Sequence, residues 1–105
     1  MINNKTMKLT NNQKKYLRSL AHDLKPVVMV GQHGLSDAVL AELKSSMAIH
    51  ELLKIKVRAE NREEKQQIIE KIAAFSEAAI VQVIGGVLVI YRPFDEDSVI
   101  ILPRR

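Results

Sequence analysis

The stretch Val27-Val-Met-Val-Gly-Gln-His-Gly-Leu-Ser-Asp-Ala-Val-Leu40 constrains the fold of this chain more than any other. It opens on a β-branched apolar run, Val27 to Val30, which reads as a short buried strand. Gly31 breaks the run and Gly34 follows it. Ser36 then stands at an N-cap position and Asp37 in a first helical turn. Val39, Leu40, Leu43 and Met47 recur at helical spacing. The stretch therefore predicts strand, Gly-Gln-His-Gly loop, helix. Such a loop brings backbone N–H groups to the positive end of a helix dipole, a natural seat for a phosphate. Two glycines also leave no side chains to hold a nucleic-acid backbone away. The same turn occurs without any ligand, because strand-to-helix connections often use glycine for conformation alone.

With 105 residues the chain has room for one domain and a modest core. A hydrophobic share of 47% excludes a disordered chain, and only 4% aromatics make that core aliphatic. The absence of Cys removes disulfides and thiolate metal sites. No apolar run approaches a membrane span, and Met1 to Met7 has no signal-peptide core, so a cytoplasmic location is expected. Residues 1–8 read as a flexible lead-in to a domain over 9–105. The net charge is +4 and is unevenly placed. Lys5, Lys8, Lys14, Lys15, Arg18 and Lys25 face a single acid, Asp23, in residues 1–36, while the rest of the chain carries a net −1. A concentrated basic region suits a polyanion, most often a nucleic acid; an acidic protein is the other candidate.

Along the chain, Thr10-Asn-Asn-Gln13 forms a capping box. Leu17, Leu20, Ala21 and Leu24 give the following helix an apolar stripe. Lys15, Arg18, His22 and Lys25 share another face, with Lys14 one turn before Arg18 and no acid among them to pair with. Pro26 ends the helix. After the helix from Ser36 to Met47, His50-Glu51 marks a turn. Leu53 to Ala59 then alternates, sending Leu53, Ile55, Val57 and Ala59 to the core and Lys54, Lys56 and Arg58 to solvent. Three cations on one sheet face invite a phosphate backbone; they equally suit an edge strand protected against pairing. Asn61-Arg-Glu-Glu64 caps a helix with Ile68, Ile69, Ile72 and Ala73 buried and Phe75 near its end. Ala79–Ile84 and Val87–Arg92 form a hairpin over Gly85-Gly86, where positive φ is needed. Phe94 to Ser98 is an acidic loop, and Val99 to Leu102 reads as a further strand or edge. The expected fold is a single two-layer α/β domain of order α-β-α-β-α-β-β. It has a mixed four-stranded sheet and its helices mostly on one face.

Catalytic and metal-binding patterns are lacking in the sequence. His22, His33 and His50 lie far apart without zinc spacing, and Asp95, Glu96 and Asp97 lack the glycine of a calcium loop. The glycine loop is too short for a Walker sequence and is not followed by Lys-Ser/Thr. The strands lack the aromatics on which RNA-recognition motifs stack bases; clamping of the backbone by charge and a Gly-x-x-Gly loop, as in KH modules, fits better.

Several motifs occur in a particular order. These are Leu17-Arg-Ser-Leu-Ala-His22, Pro26-Val-Val28, Val30-Gly-Gln-His-Gly-Leu-Ser36, His50-Glu-Leu52, Lys54-Ile-Lys-Val57 and Val89-Ile-Tyr-Arg-Pro93. The set resembles the CRM-domain family, in its YhbY-like branch, over nearly the whole chain. The resemblance implies an RNA-binding domain without enzymatic activity, similar in fold to the C-terminal domain of translation initiation factor three. It implies association with precursors of the large ribosomal subunit. It sets the family loop on Gly31, Gln32, His33 and Gly34. Many members carry Lys after the first Gly, so Gln32 leaves this loop one cation short. The expected RNA-binding set is that loop together with Lys14, Lys15, Arg18, His22, Lys25, Lys54, Lys56 and Arg58, with no metal or cofactor. Two rival readings remain: a module docking on a ribosomal protein or assembly factor, and an enzyme for a phosphorylated small ligand with His33 as acid or base.

Overall fold

The computed structural model describes residues 8–105; the expected lead-in, apart from Lys8, lies outside the described residues. The elements are α1 (Asn11–Ala21), β1 (Val28–Val30), α2 (Asp37–Met47), β2 (Leu52–Val57), α3 (Arg62–Ser76), β3 (Ala79–Ile84) and β4 (Val87–Tyr91). The strands form one mixed sheet in the order β1-β2-β4-β3. β1 runs parallel to β2, and β4 lies antiparallel to both β2 and β3. Element order and sheet type are those expected.

Both faces of this sheet are covered. Alternation in β2 sends Leu53, Ile55 and Val57 to one face, where they meet Leu43 of α2 and Ile68, Ile69 and Ile72 of α3. On the other face Leu52, Val81, Val89 and Tyr91 pack against Leu17 and Ala21 of α1. So α2 and α3 form the expected helical layer, and α1 lies across the sheet from them. The reason is in β4, where Val87-Leu-Val-Ile-Tyr91 is apolar at every position and needs cover on both sides. β1 is less buried than the short buried strand expected. It is an edge strand with Met29 54% exposed between buried Val28 and Val30.

The Thr10 capping box is present: Thr10 Oγ1 accepts from Gln13 N–H, and Gln13 Oε1 accepts from Thr10 N–H. Only half of the predicted α1 stripe is core. Leu17 and Ala21 are buried, whereas Leu20 and Leu24 are more than a third exposed. The helix also stops at Ala21, well short of Pro26. The Leu24 N–H closes a turn on Ala21 O, and the Val27 N–H already donates to Lys54 O, so the residues between must turn into the sheet. Phe75, placed by its sequence position near the buried stripe of α3, is largely exposed. In the hairpin Gly85 has φ +57°, while Gly86 is fixed by space rather than φ: a Cβ there would lie 3.1 Å from Val57 O.

The C-terminal tail is not a strand. Ile100 and Leu102 tuck against the α1 cluster, while Val99 and Ile101 point outward. Glu51, expected in a turn, holds this tail. Its carboxylate is buried and accepts three backbone N–H groups, from Phe94 (2.7 Å), Val99 (2.9 Å) and Ile100 (2.8 Å), and its own carbonyl accepts from Arg92. Burial pushes its pKa up, but these donors together hold it below the ordinary glutamate value of 4.5. Burial, and then the Glu51 charge, push the phenol of Tyr91 up.

Glu51→Gln puts an NH2 against one of these donors, and a loss of about 1–3 kcal/mol at neutral pH is expected in urea unfolding. The wild-type contribution is complete above the unfolded glutamate value and fades as pH falls through the lower folded value. The gap between wild type and variant should therefore close only below pH 4.5; a gap closing nearer neutrality would assign the tail contact to another group.

Candidate nucleic-acid interface

β1 delivers the chain to the glycine loop, and Ser36 starts α2 by accepting from Val39 N–H. Within the loop the Gly34 N–H donates to Gly31 O (3.0 Å) and the Ser36 N–H to Gly34 O (3.1 Å). Those two amides are committed to the turn. Gly34 needs its glycine for conformation, with φ +70°. Gly31 has no such need, and a Cβ on it would meet nothing within 4 Å. Gln32 and His33 stand exposed between them. Asp37, in the first turn of α2, offsets part of the positive helix end.

β2 carries the cations towards this loop. It is paired on both sides, so its lysines are not edge protection. Lys54 and Lys56 lie opposite Val89 and Val87 of β4, on the α1 face. Lys54 Nζ donates to His22 O at the end of α1 (3.5 Å), and Lys54, Arg18 and His22 line one cleft. Past the end of β2, Arg58 donates its N–H to Val30 O and lines a second cleft with Gly31, Gln32 and Gly34. Arg18, His22 and Lys54 thus share one cleft on the α1 face, whereas Arg58 joins the loop in a separate cleft bordered by Glu64 and Ile68 of α3.

Lys56, exposed on β2, lines neither cleft, and the remaining cations expected on α1 and after it also lie outside both. Lys14 is half-buried on α1 one turn before Arg18, and Lys15 is exposed. Lys25 is exposed in the connection after α1, so the expected helical alignment ends at His22. The ion pairs among the described residues are His22–Asp23 (3.3 Å) and Arg92–Glu77 (3.7 Å). The lysines and arginines of the surface therefore have no carboxylate neutralising them among the described residues.

Two features escaped the sequence reading. Glu60 and Glu64 form part of the cleft beside the loop, a space of about 300 Å³. Glu64 accepts from Glu60 N–H, so its capping role also fixes a carboxylate near the glycines. Two acids there weigh against any phosphate seated inside this cleft, whether of a small ligand or of RNA. His33 lines a different hollow, with Leu35 and Leu40. The second missed feature is Gln82, turned into the Arg18–Lys54 cleft by an irregularity in β3; its signal was a single polar residue in an otherwise apolar strand. Among the described residues no group of His, Asp and Glu could hold a metal ion, and no helix is long and apolar enough to cross a membrane.

An α/β domain with an open glycine loop and a row of unneutralised cations across its sheet belongs to the class that faces polyanions. The CRS1/YhbY (CRM) domain matches residues 9–92, and the chain belongs to this family. A Haemophilus influenzae protein named as RNA-binding is 50% identical over 97 residues, covering 92% of this chain and 97% of its own length. A probable RNA-binding protein of Bacillus subtilis is 35% identical, over 90% of this chain and 99% of its own. The solution structure of a Staphylococcus aureus protein, described as an RNA-binding candidate, superposes with a TM-score of 0.78 at 35% identity. It covers 91% of this chain and all of that one.

The two loop glycines should separate in a stability measurement. Gly34→Ala is expected to cost about 1 kcal/mol in chemical unfolding, because it forces a side chain into left-handed backbone. Gly31→Ala should stay within about 0.5 kcal/mol of wild type. Equal losses would mean that Gly31 serves the fold.

Proposed function

We propose that this protein binds RNA of large-ribosomal-subunit precursors and assists their assembly in the cytoplasm, clamping phosphates without catalysing a reaction. The observation that carries this reading is the set of lysines and arginines without a carboxylate partner among the described residues: Arg18 with Lys54 in the α1 cleft, Lys56 on the same face of β2, and Arg58 at the Gly31–Gly34 loop. Phosphates meet the point charges along β2, and the backbone passes close over Gly31, where no side chain intervenes. Lys14, Lys15 and Lys25 extend the field that draws RNA in. With Gln32 and His33 at its tip, the loop contributes more by close approach than by charge. The names of the relatives support RNA as the partner, and the family resemblance supports the large subunit.

A second reading, docking on a ribosomal protein or assembly factor, draws on the apolar groove formed by Leu20, Leu24, Ile49 and Val99. Its sign would be association that survives nuclease treatment.

Binding of large-subunit ribosomal RNA fragments across a salt series tests the RNA reading, with small-subunit fragments as the comparison. Affinity should fall steeply with salt. Lys54→Gln/Lys56→Gln should weaken binding to all RNAs and lower the salt slope by about 1–2. Gly31→Asp, at a position where a Cβ meets nothing within 4 Å, should cost roughly tenfold by placing a carboxylate against phosphate, with circular dichroism checking the fold. Salt-independent binding, or no binding at low salt, would sink the clamp; equal affinity for small-subunit fragments would sink the large-subunit assignment alone.

A further inference from the structure

The cleft between the C-terminal end of α1 and the sheet has a chemistry that phosphate clamping does not use. Its volume is about 600 Å³, within the range of sites that enclose a small organic group. Arg18 and Lys54 stand around it with the paired His22 and Asp23, and Ile84 and Val87 supply apolar walls. Ile84 is 61% exposed at the end of β3, an apolar residue with little to cover it.

The decisive residue is Gln82. Ile80 packs with the α2/α3 core, and strict alternation would send Gln82 to the same side. Between these residues the β3–β4 register slips. Val81 faces the α1 cluster as alternation from Ile80 requires, and the slip turns Gln82 to that same side, where it opens on the α1 cleft. A bulge of this kind re-aims a side chain and is common beside functional sites. Here it delivers an amide with both donors and an acceptor to an apolar-walled hollow. A phosphate has no use for apolar walls, whereas a nucleobase needs apolar cover on its faces and donors and acceptors at its edge. Arg18 and His22 are both side chains on which unpaired bases stack.

We propose that this cleft receives one unpaired nucleotide of the bound RNA, with the base against Ile84 and Val87, its edge on Gln82, and its phosphate held by Lys54 and Arg18. The inference rests on the RNA reading above and adds that the ligand is RNA with an extruded or looped-out nucleotide. A continuous duplex keeps its bases stacked inside and cannot fill a hollow of this kind.

The test compares two RNA hairpins that differ only by one bulged nucleotide, titrated at fixed salt with wild type, Gln82→Leu and Ile84→Ser. Ile84→Ser removes an exposed wall and spares the core, so it stands in if Gln82→Leu disturbs the bulge; circular dichroism checks both. Wild type should prefer the bulged hairpin by roughly fivefold to tenfold, the lower end of what one stacked base contributes. Both variants should lose that preference while keeping the wild-type affinity and salt slope for the paired hairpin. With 2-aminopurine at the bulge, fluorescence should change on binding wild type and not with Gln82→Leu. Equal binding of the two hairpins by wild type, or an undiminished preference in both variants, overturns the inference and leaves the phosphate clamp standing. A free nucleoside monophosphate that binds the cleft more tightly than the bulged hairpin also overturns it. Loss of both hairpins in wild type at low salt overturns the RNA reading and this inference with it.

Discussion

β4 is apolar along its whole length and sits inside the sheet, so both faces of the sheet must be covered. From that requirement the rest follows. α2 and α3 bury one face through Leu43, Ile68, Ile69 and Ile72. The other face is left to α1, which reaches it with only Leu17 and Ala21, and to the tail, which adds Ile100 and Leu102. A short helix and an irregular tail cannot roof the whole sheet. The part left open is where β2 presents Lys54 and Lys56. The charged surface is thus what remains when an aliphatic chain has too few apolar residues to close its second face.

The partial roof needs a fastener, and Glu51 supplies it. A carboxylate removed from water is costly unless its oxygens are satisfied, and here three backbone N–H groups converge on it. The tail has no strand partner, so these bonds replace the ladder that would otherwise satisfy its amides. The same anchor keeps Ile100 near Leu52 and Tyr91, and thereby keeps α1 seated. Glu51 and the tail lie beside the end of α1, where they line one groove with Leu20 and Leu24.

The row of cations on β2 and the glycine loop is reached through two different physical routes. Lys54 and Lys56 are set by period-two alternation, which any register of β2 with a buried Leu53, Ile55 and Val57 must respect. The loop is set by chain reversal, with Gly34 in left-handed backbone and Ser36 capping α2. Both were legible in local residue patterns because both are local. Of the acids beside the loop, Glu64 is legible locally only as a cap and Glu60 has no local signal, since their proximity to Gly31 depends on how α3 packs.

The sequence alone determined the element order, the capping of all three helices, the core face of β2 and the position of the glycine loop. Each is decided by contacts between residues a few positions apart, or by burial periodicity, so the chain carries the information locally. Tertiary structure decided the rest. It determined that Leu20 and Leu24 stay exposed, that α1 crosses to the second face, that Glu51 anchors the tail as well as lying in the bend before β2, and that Gln82 faces the cleft. These depend on competition between distant segments for a limited area of sheet, and no local pattern states which segment wins. The meeting of Arg18 and Lys54 is the clearest case. They come from different elements, each unremarkable alone, and only packing of α1 on the sheet brings them to one surface.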